Sequence, residues 1–335
     1  MPEPLGTGGA CASVPTSGTS AADYSRLTPP DASCPVPGWR DPAGRRWAGT
    51  VGRLRFAHVP YIDVILLATA HRSAELSMPR GASLVLVHRA LTHLNGAVNL
   101  VGLTDNHMGR ARLSPLAAIP DCLRFGLRPV LHLSCRDRNQ LGLHQQVAGA
   151  SALGAAGVLV VQGDRRGGLA VDSAMRTTEV LRLVPEWAAP NRILRGAVVN
   201  PFADRSRELR LLERKVAAGV DFVQTQMVFD LALLDDFLRE AGSILPPQVG
   251  IFASVGILRA ARNLEFVRRV IPNCPVPESL AVRIREGGGV GVATELAAEI
   301  GRRPGLRLHV ISLGAERHVR EVVEAYDGSR SAASA

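Results

Sequence analysis

The sequence predicts an α/β protein, a (β/α)8 TIM barrel behind a disordered N-terminal extension, and three observations carry the prediction. From residue 72 onward, short runs rich in Val, Ile and Leu alternate with longer helical segments. The runs number eight in about 260 residues, a usual span for a single barrel. No Gly-x-Gly-x-x-Gly follows the first run, as an open dinucleotide-binding sheet requires.

Taken in order, residues 1–50 contain 8 of the 22 prolines among Gly, Ser, Thr and Ala, and no apolar face of either period can be drawn through them. They read as a disordered extension without the basic start, apolar centre and cleavage site of a secretory signal. Residues 51–71 form an edge segment around the apolar stretch 64–70. The barrel itself is expected over 72–328, with strands at 73–78, 98–105, 128–135, 157–163, 193–200, 221–227, 249–254 and 306–313. Each run is too short for a helix and too apolar for a loop, as strands covered on both faces should be. Helices are expected at 84–93, 138–153, 175–187, 206–218, 231–241, 277–300 and 316–326, the sixth long enough to include a break. Residues 329–335 read as a disordered tail.

Composition narrows the class. Of 335 residues 46% are hydrophobic and 21% charged, enough to bury a core without a disulfide or metal staple. Five scattered cysteines with no C-x-x-C pair argue against a disulfide scaffold and a structural metal, and favour a reducing, cytoplasmic setting. No apolar run approaches the ~20 residues that span a bilayer. The formal charge of +9 is spread over single and paired arginines without interleaved aromatics, so no nucleic-acid partner is expected. All 39 basic residues but Lys215 are arginine.

In such a barrel the chemistry collects at the C-terminal ends of the strands, and here those ends are polar. Glu75 lies in the first strand. The second ends Leu103-Thr104-Asp105-Asn106, the third reads His132-Leu133-Ser134-Cys135-Arg136-Asp137-Arg138-Asn139, and the fourth ends Val161-Gln162-Gly163-Asp164. The fifth ends Val199-Asn200-Pro201 and the sixth Gln224-Thr225-Gln226. A carboxylate in a buried parallel strand is costly unless it is paired or functional, which singles out Glu75 and Asp164. Two carboxyl groups facing one cavity acquire different proton affinities, one raised enough by burial to serve as a general acid.

Together the strings Ala-Glu-Leu-Ser-Met-Pro-Arg-Gly-Ala, Leu-Thr-Asp-Asn-His-Met-Gly-Arg, His-Leu-Ser-Cys-Arg-Asp-Arg-Asn-Gln, Gln-Gly-Asp and Arg-Lys-Val-Ala-Ala-Gly-Val-Asp-Phe-Val-Gln-Thr-Gln resemble the methylenetetrahydrofolate reductase family. The match is to its bacterial branch with T-D-N and C-R-D-R-N motifs. The resemblance keeps the motif order from about residue 72 to residue 326. It implies an FAD-bearing barrel in which NADH or NADPH reduces the flavin, which then reduces 5,10-methylenetetrahydrofolate to the 5-methyl compound, feeding methionine synthesis. It also implies a catalytic set of Glu75 as acid, Asp164 beside flavin and pterin, and Gln226 as a neutral partner for folate and nicotinamide. Thr104, His132, Val161, Gln162, Gly163, Asp164 and Val198 match flavin contacts. Arg214 and Lys215 match basic residues that meet the cofactor's phosphates or ribityl chain. Phe266, after a two-residue gap, matches an aromatic over the stacked ligand; without the gap Arg268 or Arg269 takes that place. No metal is implied, and a homo-oligomer or a partner subunit stays open.

The sequence also departs from the family pattern. Gln162 stands where Arg or Thr is common, Asn200 where several members carry an aromatic, and Glu208 and Leu211 where others have flavin contacts. An alternative expectation is therefore a folate-binding barrel with a diverged flavin site, serving another one-carbon step.

Overall fold

The structure is a computed structural model that describes residues 69–163, 175–271 and 274–334. The expected extension, most of the edge segment and Asp164 lie outside the described residues. Eight parallel strands pair in sequence order and close on themselves, β1 (Arg72–Leu76), β2 (Leu100–Leu103), β3 (Arg128–Ser134), β4 (Gly157–Val161), β5 (Leu194–Val199), β6 (Phe222–Met227), β7 (Gly250–Gly256) and β8 (Leu306–Ile311). Each lies within an expected run or overlaps most of it. Around them run α1 (Val85–Leu94), α2 (Ile119–Arg124), α3 (Gln140–Ala152), α4 (Thr177–Ala188) and α5 (Arg205–Ala217). The ring continues with α6 (Leu231–Ala241), α7 (Ala261–Val270), α8 (Glu278–Arg285), α9 (Gly289–Gly301) and α10 (Val319–Ser334).

Closure sorts each strand's residues into two sets. One set, including Val101, Leu103, Leu131, Leu133, Val158, Val160, Ala253 and Val310, packs outward under the helices as the main core. The other set faces inward, and its register runs round the barrel: Ser73 beside His309, Glu75 beside Gly102 and Ile311, His132 beside Leu159, Val198 beside Gln224, and Phe252 beside Arg307. At the N-terminal end this interior is mostly apolar, with Leu100, Val130, Leu194, Phe222 and Phe252 in one cluster and the Arg307 guanidinium 5.7 Å from the Phe252 ring centroid. The rings of Phe222 and Phe252 meet edge to face at 5.7 Å. Towards the C-terminal end it turns polar.

Three helix starts facing the C-terminal end are capped by their own sequence. Asn139 accepts from Gly142 N at 2.9 Å, Asp204 from Arg207 N at 2.8 Å and Asp230 from Leu233 N at 3.1 Å. Each such cap contributes about 1 kcal/mol.

The break allowed for in segment 277–300 is present: it divides into α8 and α9 at Gly287 and Gly288, the former at a φ of 91° that side-chain-bearing residues avoid. One helical expectation needs correction. The closing helix begins later than expected and continues through Ser334, so residues 329–334 are helix and not tail. Tertiary packing holds it: Tyr326 is fully buried and donates to Leu306 O at 2.9 Å, and α10 crosses α9 at Gly301. A Cβ there would overlap Tyr326 O and lie 3.2 Å from Arg330 N.

Gly301→Ala should therefore destabilise the full chain by about 1–3 kcal/mol through overpacking. Gly291→Ala, in the same helix with no atom nearer than 3.9 Å to its new methyl, should instead stabilise by up to about 1 kcal/mol. Urea midpoints of the two variants check the contrast.

Candidate active site

The C-terminal ends of the strands form a mouth whose walls are the last inward-facing residues. Glu75 on β1 is half-buried there. Among the described residues no cation pairs with its carboxyl, and burial alone pushes its pKa up to about 7. The loop beyond it is pinned from β2: Thr104 donates its amide to Leu76 O at 3.1 Å, and its hydroxyl accepts from Met78 N at 3.1 Å. Thr104 thus shapes the backbone next to Glu75.

His132 on β3 is buried, and burial is the main reason its pKa falls to about 4. Its Nε2 lies over Gly102, where a Cβ would come within 2.6 Å. On β4 and β5, Val161 is half-buried and Val198 is 36% exposed, although both point into the barrel. An open apolar wall at these positions suits the face of a planar ring. Gly163 has a φ of 91°, and a side chain there would strike Ser134 and come within 2.8 Å of Arg136 Cβ, so the chain passes close beneath the β3 loop. Gln162 is exposed and reaches across to α4, its oxygen accepting from Thr177 N at 3.3 Å. Gln226 is half-buried beside a one-residue bulge between β6 and β7, and its Oε1 accepts from Met227 N at 3.0 Å. The bulge re-aims the chain at the mouth.

Glu75, Thr104, His132, Val161, Gly163, Val198 and Gln226 thus lie at or next to the mouth ends of their strands, as expected of a site there. The basic pair differs. Lys215 is buried, its Nζ donating to Val198 O at 2.7 Å and lying 3.7 Å from the Glu208 carboxylate. Glu208 also accepts from Asn200 N at 3.0 Å. This ammonium holds α5 on the end of β5. Burial lowers its proton affinity and Glu208 restores part of it. Arg214 is exposed in the last turn of α5, bonded to Arg210 O at 3.3 Å. Phe266 is half-buried against the outer core, with the Arg269 guanidinium 6.0 Å from its ring centroid.

Other polar residues of the site were not singled out from sequence. Asp105, buried behind β2, accepts from Ser134 N at 3.0 Å and from Arg138 Nη2 at 3.0 Å, which locks the β2 and β3 loops together. Arg112 donates to Met78 O at 2.9 Å and so ties the β2 loop to the β1 loop. Ser73, Gln224 and His309 line the interior below Glu75. Period-two counting inward from Glu75, and along Leu-Arg-Leu-His in β8, is the signal that would have found Ser73 and His309.

The family model for methylenetetrahydrofolate reductase matches residues 67–327, the whole barrel. The chain belongs to this family. A curated relative, named a probable methylenetetrahydrofolate reductase (NADPH) from Caenorhabditis elegans, is 22% identical over 214 residues, 59% of this chain and 32% of that protein. The chain thus matches about a third of the length of that relative. A solved structure, described as an uncharacterized protein from Clostridium thermocellum that binds two copies of 5-methyl-5,6,7,8-tetrahydrofolic acid, superposes with a TM-score of 0.59 at 12% identity. It covers 79% of this chain and 98% of its own. At that identity the likeness speaks for the fold. Among the described residues of this family member no helix is long and apolar enough to cross a membrane, and no group of His, Cys, Asp and Glu could hold a metal ion.

The raised pKa of Glu75 makes a stability prediction. The native state keeps this proton up to about pH 7, whereas an unfolded glutamate releases it near 4.5. Stability therefore falls as pH rises through that window. Glu75→Gln removes the penalty and should gain on the parent by on the order of 2 kcal/mol between pH 5 and pH 8. Denaturant melts at the two pH values measure it.

Proposed function

We propose that this chain reduces 5,10-methylenetetrahydrofolate to 5-methyltetrahydrofolate with NADH or NADPH, using FAD in the barrel mouth. One observation carries the reading: a carboxyl projecting into the mouth of a family-matched barrel, with its pKa pushed up to about 7 by burial and, among the described residues, no cation to pull it down. A carboxylic acid that holds its proton near neutrality is what opening the substrate's five-membered ring demands, because N10 must leave protonated. Glu75 would supply that proton. Gln226, a neutral donor and acceptor, would orient the pterin and then the nicotinamide amide. Asp164, next to Gly163 in sequence, would balance the cationic methylene left at N5.

The residues present fit the ring part of the flavin better than its phosphates. Val161 and Val198 offer an exposed apolar wall, Gly163 lets backbone approach closely, and His132 and Thr104 flank the ring position. When bound, the flavin would accept a hydride from the nicotinamide and pass it to the folate. Lys215 has two of its partners inside the protein, and Arg214 is a surface residue of the last turn of its helix. These two observations favour a second reading, a folate barrel with a diverged flavin site.

Purified protein should show flavin absorption bands and oxidise 5-methyltetrahydrofolate with an artificial acceptor. Glu75→Gln should lower folate turnover by at least about 100-fold, the usual contribution of a general acid, while NAD(P)H oxidation continues. In the reducing direction, the folate step should slow as pH rises through about 7, because the acid form of Glu75 is lost. Full folate turnover in Glu75→Gln removes that residue from its role. Folate binding without flavin bands or reductase turnover establishes the second reading.

A further inference from the structure

Beneath the mouth lies a small space whose lining, His132 apart, has no part in the reaction above. Ser73, Gly102, His132, Gln224 and His309 supply its polar side, and Leu100, Val130 and the Phe222–Phe252 pair its apolar side. The volume open to the centre of a water-sized sphere is about 10 Å³, close to what one water needs.

Two imidazoles end there unsatisfied. His309 is 1% exposed and His132 9%, and the Nε2 atom of each is buried without a hydrogen-bond partner. Leaving such atoms dry costs roughly 1–3 kcal/mol apiece. Both rings are neutral at ordinary pH. Burial is the main cause in each, pushing their pKa values to about 4 for His132 and about 3 for His309, and His132 lowers His309 further. Each ring therefore carries one N–H and one bare nitrogen.

The tautomer of His309 is tied to its neighbour. Ser73 Oγ lies 3.3 Å from Leu308 O and 2.8 Å from Nδ1 of His309; in the arrangement we propose, the hydroxyl proton goes to the carbonyl and the serine oxygen accepts from Nδ1–H. Its Nε2 is then a bare acceptor. Gly102 keeps the space open at the other ring, since a Cβ there would lie 2.6 Å from His132 Nε2.

We propose that this pocket holds one ordered water, which donates to Nε2 of His309 and Nε2 of His132 and accepts from the Gln224 side-chain amide. The water thereby holds His132 as its Nδ1–H tautomer. Three partners are the usual complement of a buried water. His309 is on this account a positioning residue: through the water it decides that a ligand touching His132 from the mouth meets a donor at Nδ1. That last consequence rests on the mouth being the ligand site. The water and the tautomer do not.

The test uses the full chain labelled with ¹⁵N-histidine. Long-range ¹H–¹⁵N spectra at pH 7 should show His132 and His309 both as Nδ1–H tautomers, and a crystal structure should show one density peak between the two Nε2 atoms. Ser73→Ala removes the group that orients His309, and His309→Asn removes the ring; in either variant His132 should lose its single tautomer. If one variant fails to fold, the other gives the same reading. A dry pocket, His132 found as Nε2–H in the parent, or an unchanged His132 tautomer in a folded variant overturns the proposal. Loss of the reductase reading leaves these spectra untouched, so the two failures are distinguishable.

Discussion

Closing eight parallel strands on themselves leaves every second residue of each strand facing the barrel's interior, where it must fill space, find a partner or line a cavity. The inward set of this protein changes character along the axis. Phenylalanine, leucine and valine close the N-terminal end; a middle layer holds Ser73, His132, Gln224 and His309; the mouth layer holds Glu75, Val161, Val198 and Gln226. The gradient follows from solvation. Apolar rings seal the end away from the mouth loops, and polar groups collect where solvent or a ligand can satisfy them. Glu75 stands at the boundary, wet enough to be tolerated and dry enough to keep its proton.

The loops around this mouth are braced by charge pairs and hydrogen bonds. Asp105 and Arg138 fasten the β2 and β3 loops, and Arg112 and Thr104 fasten the β1 loop to the β2 loop. Both described non-glycine residues with positive φ, Asp137 at 64° and Leu313 at 49°, lie in loops at this end. Strained backbone persists where its surroundings over-determine it. Much of the remaining charge forms exposed pairs such as Arg283 with Glu295 and Arg285 with Glu278, which solvent screens so that they add little to stability. Much of the arginine excess therefore lies on the surface, and among the described residues no cation pairs with the Glu75 carboxyl.

Lys215 shows where reading along the chain stops. As the sole lysine it stands out in the sequence, and family likeness implies a place against the cofactor's phosphates or ribityl chain. In the fold its ammonium bonds Val198 O and sits beside Glu208, so the compact charge serves the junction of α5 and β5. Glu208 stands where other family members have flavin contacts, and in the fold helix packing buries it beside Lys215. His309 went unremarked for the opposite reason: one histidine in an apolar strand looks like core until the closed register sets it beside Ser73 and across from His132.

Local regularities determined the architecture. Apolar runs of strand length, helical segments between them and capping residues such as Asn139 depend on near neighbours, so the eight units, their order and the placing of Glu75 at a strand end follow from the chain alone. What depended on closure did not. Which residues share the interior, that helix α10 runs on through Ser334 because Gly301 lets it pack tightly, and that two histidine nitrogens meet one small pocket are set by contacts between residues far apart in sequence. Burial decides protonation, and burial is a property of the assembled barrel: the same glutamate would titrate near 4.5 in the unfolded chain and does so at about 7 in the mouth.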